Sequence, residues 1–414
     1  MTATMVRPAR EFAAATERQP ETTEQGTTEA AQLLAAVRDL APALSARAGE
    51  IENARRVPGD IVEALQKIGV FRMLLPRSHG GFECSIPEVT PVLGALSAAD
   101  SSVGWVAMIY MNSQLYGTRT QPQTYDEIYG DGSAPVIAGS GTPAGRADKF
   151  DGGYRVSGRW PFVSGCQNAR WLGGHCMIWE YGKPAMAGDA PITRFVVAPA
   201  DRWRIEETWQ ASGLAGTGSH HIVLDNEEIP EIRTFDLLNG TSCVPGPFEA
   251  AIMPFMPILH AAVAVGIASG AFDDLVSMAN AGRHQLFASS DLRDSPIFQH
   301  ELGRIGAELR AARALLEAQA ASHWRRAVNA LLDSTADFTE SLQASAWIHT
   351  ACVSVVNRCY TLGGSSVVMN TSPLQRRLRD IHAAKQHLAA QDRFYAGAGA
   401  LHLGFPPFNP LARL

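Results

Sequence analysis

The sequence predicts an α+β protein that is mainly helical: a helical N-terminal domain, a central β-barrel domain and a C-terminal four-helix bundle. Three observations predict it. Apolar residues recur at three- and four-residue steps from Ala30 towards Ser133. Short alternating runs divided by Gly, Pro and Asp fill the middle of the chain. The helical period then returns after Pro247 and persists almost to the end.

Residues 1–28 read as a disordered tail, rich in Thr, Glu and Ala, with Pro8 and Pro20 and no apolar core of the signal-peptide kind. In the N-terminal domain, 29–134, Leu33, Val37, Leu40 and Leu44 share one helical face. Val57-Pro58-Gly59-Asp60 opens a helix through Ile61, Leu65 and Ile68. Arg77 to Phe82 reads as a turn, and the period resumes from Pro87 to Ala99. Ser101 and Ser102 are the expected caps of a helix carrying Trp105, Met108 and Met111.

The β domain, 135–246, opens on the turn Asp151-Gly152-Gly153 and the alternating run Tyr154 to Trp160. Met177–Trp179, Arg194–Val197 and Ile222–Leu224 are further strands. In the C-terminal bundle, 247–414, Leu302, Ile305, Leu309, Leu315 and Leu316 mark one long amphipathic helix. Others are expected near Val265, Leu331, Ala351 and Ala384.

Composition excludes several classes. The net charge is −6 with a pI near 6.1, and no basic run suits a nucleic acid. The apolar stretch Ile258–Phe272 is short for a bilayer and carries His260, so no membrane is expected. The six cysteines form no C-x-x-C pair, which points to free thiols in a reducing cytoplasm. No H-E-x-x-H or paired Cys/His spacing suggests a metal, and no G-x-G-x-x-G follows a strand to hold a nicotinamide nucleotide.

Between Glu340 and Asp380 there is no carboxylate, yet the segment runs through Gly363-Gly364 into a basic stretch with His382 and His387. Read as one helix, five residues turn about 140°, so only one of these histidines reaches a common site. His387, sharing a face with Ala383 and Gln391, is the candidate. Its ordinary pKa, about 6.5, suits proton exchange near neutrality. His220 and His221 are neighbours on a strand, point to opposite sides and cannot share a ligand.

Three segments carry a resemblance: Gly152 to Gly165, ending Trp160-Pro-Phe-Val-Ser164-Gly; Trp209 to Ser219, ending Gly-Thr217-Gly-Ser; and Arg379-Asp-Ile-His382 with His387. Over roughly residues 30–405 the chain resembles the acyl-CoA dehydrogenase fold. More narrowly it resembles the two-component flavin monooxygenases built on that fold, of the p-hydroxyphenylacetate hydroxylase type.

That resemblance implies reduced FAD, with FMN as the alternative, delivered by a separate NAD(P)H-flavin reductase. It also implies O2 as co-substrate and a homotetramer or dimer. Trp160, Phe162, Ser164, Thr217, Ser219, Arg283, Gly363 and Gly364 become candidate flavin contacts, the last two across a subunit interface. Ser164 would accept a hydrogen bond at flavin N5 and preserve a 4a-hydroperoxide, and His387 would move a proton. Asn112 and Ser113 stand where many such hydroxylases carry a histidine, which puts phenolate activation in doubt and leaves room for an indole or another electron-rich ring. His260 either faces that pocket or is a core histidine. The implied activity is hydroxylation of an aromatic or heteroaromatic small molecule. Its rivals are an acyl-CoA dehydrogenase, for which the missing carboxylate is an obstacle, and N- or S-oxygenation on the same scaffold.

Overall fold

The computed structural model describes residues 24–249, 252–284, 288–332 and 335–406. Most of the expected tail lies outside these residues, and from Glu24 the backbone is already helical. Among the described residues six α-helices precede the sheet: α1 (Glu24–Ala46), α2 (Ala48–Ala54), α3 (Gly59–Ile68), α4 (Ile86–Ala99), α5 (Ser101–Gly117) and α6 (Pro122–Tyr129). Ser85 and Glu88 form a capping box at the start of α4. The cap of α5 is Asp100 rather than the expected serines. Its carboxylate accepts the backbone N–H of Ser102 and Val103 at 2.9 and 3.0 Å. A carboxylate is the stronger acceptor for these orphan donors. Helix α5 is buried on nearly every side and forms the floor on which the site is built.

The sheet strands are β1 (Ile137–Phe150), β2 (Gly153–Val163), β3 (Trp171–Glu180), β4 (Lys183–Pro184), β5 (Met186–Ala187), β6 (Ala190–Pro191), β7 (Thr193–Pro199), β8 (Arg204–Glu206), β9 (His220–Pro230) and β10 (Thr234–Phe235). Their order is β10-β7-β3-β1-β2-β9-β8, with β4 on β3 and a separate β5–β6 pair. Among the described residues no ladder joins β8 to β10, so the expected barrel is a single sheet with two free edges. Gly145 faces Gly158 on β2 and Cys176 on β3. A Cβ at Gly145 would run into the Trp160 indole, which fills the space these glycines leave.

The bundle consists of α7 (Phe255–Asn280), α8 (Pro296–Val328), α9 (Ala336–Gly363) and α10 (Pro373–Ala384), followed by α11 (Phe394–His402). No helix is centred on Leu331. Asn329 caps α8, Ala330 turns at φ +54°, and Leu331 is exposed. Helix α7 is long and apolar enough to cross a membrane, but 89% of its most apolar window is buried here. It packs against α4, α8, α9 and α10, which explains apolarity on all faces. The six cysteines are free thiols.

Candidate active site

A cavity of about 910 Å³ lies where the end of β2, the approach to β9, helices α5 and α7, and the segment after α10 converge. That size suits a small-molecule site. Its wall on the sheet side is built by a chain of hydroxyls. Trp105 Nε1 donates to Ser164 Oγ at 3.2 Å, and Ser164 Oγ lies 2.7 Å from Ser219 Oγ. Ser219 Oγ is 2.6 Å from Thr217 Oγ1, which donates to the Leu214 carbonyl at 2.8 Å.

The direction of this chain is fixed by its ends. A carbonyl only accepts, so the Thr217 proton is committed to Leu214. Ser219 must then donate to Thr217, and Ser164 to Ser219. Ser164 accepts from Trp105 and has no proton left, so it offers the cavity only a lone pair.

Two histidines also line the cavity, beside Trp105. Helix α10 ends at Ala384, and Lys385 ties the next turn down by bonds to the Ala390 carbonyl at 2.7 Å and Thr350 Oγ1 at 2.9 Å. His387 therefore sits in extended backbone at φ −65°, ψ 149°, not on a helix as expected. It still lines the cavity together with Ala383 and Gln391. The Ala389 backbone N–H donates to His387 Nδ1 at 3.2 Å, which places the ring proton on Nε2. His260 has the reverse arrangement. Its Nδ1 donates to the Met256 carbonyl at 2.8 Å, leaving Nε2 as a buried acceptor without a partner. The rings stack at 4.1 Å between centroids, and Trp105 meets both edge-on at 5.3 and 5.5 Å.

Burial holds both imidazoles neutral. It pushes His260 down to about 4, and lowers His387 well below the ordinary value with help from His260 and His349. His349, on α9, is itself pushed down to about 3 by burial.

The structure brings Ser164, Thr217, Ser219, Phe162, Asn112, Ser113, His260 and His387 to this one cavity. Thr217 lies on the turn entering β9. Asn112 donates to Met108 Sδ at 2.9 Å and keeps a buried, unpartnered Oδ1, while Ser113 Oγ donates to the Ile109 carbonyl at 3.0 Å. Trp160 is separated from the group. It is fully buried inside the sheet, donates to the His175 carbonyl at 2.7 Å and does not line the cavity. The reason is a bulge between Trp160 and Val163, where Phe162 turns out at φ +61° with 65% exposure. Strict alternation would have put both rings on one face.

Arg283, Gly363 and Gly364 also lie away from this cavity. Arg283 follows α7, half-buried, and its Nε has no partner. Gly363 and Gly364 end α9, the latter at φ +69°, where a left-handed turn favours glycine. His382 bonds Asn357 Oδ1 at 3.0 Å from an exposed face of α10. The partnership of Trp105 with Ser164 and the burial of His349 beside the pair were not read from sequence. Their partners are remote in the chain, and no local pattern signals them.

The residues suit a flavin. A flat tricycle with one polar edge needs an aromatic wall and few, correctly oriented hydrogen-bonding atoms. Phe162 and Trp209, packed edge-on at 6.3 Å, supply aromatic surface, and the hydroxyl chain supplies an acceptor in the same cavity.

The descriptions "Acyl-CoA dehydrogenase, N-terminal domain" and "Acyl-CoA dehydrogenase, C-terminal domain" match residues 27–126 and 258–392. The chain is 34% identical to an indole-3-acetate monooxygenase of Pseudomonas putida, over 91% of this chain and 93% of that protein. It is 30% identical to an enzyme of the same name from Acinetobacter baumannii, over 87% and 91%. In fold it is similar to XiaF from a Streptomyces species, solved with FADH2 and glycerol. The TM-score is 0.87 at 24% identity, over 93% of this chain and 98% of that one. These relatives and the two matching domains show the family: the chain belongs to the reduced-flavin-dependent monooxygenases of the acyl-CoA dehydrogenase fold, the oxygenase components of two-component systems.

Proposed function

We propose that this oxygenase hydroxylates a small aromatic or heteroaromatic ring, indole-like in size. It would use O2 and reduced flavin, FADH2 in preference to reduced FMN, received from a separate NAD(P)H-dependent flavin reductase. The observation that carries this reading is the directed hydroxyl chain, which leaves Ser164 an acceptor in the same cavity as two neutral imidazoles. The indole-3-acetate relatives support the choice of ring.

Phe162 and Trp209 would hold the flavin ring, and Ser164 Oγ would accept a hydrogen bond from an N–H on its edge. When bound, reduced flavin supplies the two electrons with which one oxygen atom of O2 goes to the ring and the other leaves as water. The protein does the rest. His387 donates from Nε2 and orients an oxygen. His260, whose Nε2 is buried from the cavity, stacks on His387 and holds that ring in place. The apolar residues of α5 and α7, with Met253 and Met256, exclude water and so limit loss of H2O2.

An acyl-CoA dehydrogenase would need a carboxylate base over the ring. Asp236 lines the cavity, but its Oδ1 accepts the backbone N–H of Leu238 and Asn239 at 3.0 and 2.9 Å. The assembly that fits this reading is a homotetramer in the cytoplasm, with Gly363-Gly364 of one copy approaching the flavin of another and Arg283 on the cofactor phosphates. Light scattering checks the assembly.

The test supplies chemically reduced FAD or FMN, 18O2 and indole-class rings. One labelled oxygen in a hydroxylated product is expected. Label on nitrogen or sulfur instead of ring carbon would reassign the reaction. Turnover of an acyl thioester with oxidised flavin and no label would end the reading.

A further inference from the structure

The motif Arg379-Asp380 carries no part of the reaction described above, yet it grips the loop from which the hydroxyl chain starts. Arg379 Nη1 donates to the Ser212 carbonyl at 2.7 Å, and Asp380 Oδ1 accepts the Leu214 backbone N–H at 2.7 Å. Helix α10 and this loop touch so closely that a Cβ on Gly213 would run into the Arg379 carbonyl. Asp380 is buried, with 4% of its surface exposed, and lies outside the cavity.

What Asp380 holds is unusual. Leu214 stands at φ +50°, ψ 33°, in the left-handed region that a leucine rarely adopts without an external hold. That conformation aims the Leu214 carbonyl at three donors: Thr217 Oγ1 at 2.8 Å, Thr217 N at 3.1 Å and Trp209 Nε1 at 3.1 Å. The first is the terminal acceptor that sets the direction of every hydroxyl up to Ser164. The third positions Trp209, one of the two rings of the aromatic wall.

We infer that Asp380 is a positioning residue for the oxygenase reaction: by bonding Leu214 N–H it fixes the Leu214 carbonyl as the end of the hydroxyl chain and so keeps Ser164 an acceptor towards the flavin. Without the carboxylate, Leu214 relaxes and its carbonyl turns from Thr217. The Thr217 proton is then free to point back along the chain, and Ser164 can present a proton where a lone pair is needed. Reduced flavin would then lose H2O2 faster. The inference rests on the role proposed for Ser164.

The experiment is a double-mutant cycle on the full-length protein. H2O2 release from reduced FAD and O2 is followed by stopped flow without a ring substrate, for wild type, D380A, D380N, S164A and D380A/S164A. D380A should speed release at least five-fold. D380N, whose amide oxygen can still accept from Leu214, should stay within two-fold of wild type. In the S164A background D380A should add nothing. T217V cuts the same chain without touching Asp380 and should behave as D380A does, which keeps the test alive should D380A not fold.

A second readout needs no flavin. The Trp105 indole N–H resonance, assigned with W105F, should move in D380A and T217V but not in D380N. An equal acceleration by D380A with and without Ser164, or a lowered Tm with release and resonance unchanged, would reduce Asp380 to a packing residue and overturn the inference. Failure of the hydroxylation reading is distinguishable. It would appear as no labelled product from any ring, while the dependence of H2O2 release on Asp380 and Ser164 could still be read.

Discussion

His260 and His387 lie face to face, ring planes within 15° of parallel, with opposite tautomers held by opposite backbone partners. His387 is a donor at Nε2 and His260 an acceptor buried from the cavity, so the proton offered to the site is the one on His387 and neither ring is charged at rest. Two stacked imidazolium ions at this distance would repel strongly in a dry site.

His387→Ala should therefore lower kcat for ring hydroxylation by about 10²–10⁴-fold, the usual range for a lost acid–base group. Flavin affinity should change little, because the wall proposed for the flavin consists of Phe162, Trp209 and the hydroxyls. Single-turnover kinetics with reduced flavin separate the two effects.

The buried histidines set the acid limit of stability. Their folded pKa values are depressed below the ordinary 6.5, to about 4 for His260 and about 3 for His349. As pH falls through 6.5 the unfolded chain takes up protons first. Stability is thus fully present above 6.5 and is lost progressively towards 4. His260 alone contributes on the order of 3 kcal/mol to that loss. Calorimetry between pH 7.5 and 4.5 should show Tm falling over this window, and more shallowly in His260→Phe.

Asp380 acts in the opposite direction. Burial raises its carboxyl to about 6, from an ordinary 3.8. A raised carboxyl pKa favours the folded state most below the ordinary value, and the gain disappears as pH rises through the folded one. The Tm of D380N relative to wild type should therefore increase between pH 4.5 and 7.5, by an amount worth about 2 kcal/mol. A constant difference across that range would show that the carboxylate is not strained by burial.

Ser164→Ala leaves the Trp105 indole N–H and Ser219 each short of a buried partner. A loss of about 1–3 kcal/mol is expected in denaturant unfolding. The fraction of reduced flavin wasted as H2O2 should rise as well.

Trp160→Phe tests the correction made by the bulge. The variant loses the bond to the His175 carbonyl and part of the core volume, so stability should fall by about 1–3 kcal/mol. The dissociation constant for reduced flavin should stay within two-fold. A large change in that constant would mean that the indole does touch the cofactor.

Periodicity was sufficient for the architecture. Long helices at Leu302–Leu316 and Ala351, and strands at Tyr154–Trp160 and Arg194–Val197, are local patterns that packing reinforced. It failed where a single residue changes the backbone. Ala330 ends a helix by a left-handed turn, and Phe162 breaks the alternation of β2. Asp100 displaced the serines as the cap because charge strengthens the bond to the helix start.

The sequence by itself determined the order of helical, β and helical regions, the absence of an acid between Glu340 and Asp380, and the hydroxyls and histidines available for chemistry. These follow from composition and from contacts close in the chain. The tertiary structure alone decided how they act. Ser164 meets Trp105 across fifty-nine positions, and Leu214 meets Asp380 across 166. Only such distant partners fix which atom keeps a proton and which offers a lone pair. Hydrogen-bond direction depends on the whole set of neighbours, and no local pattern of residues encodes it.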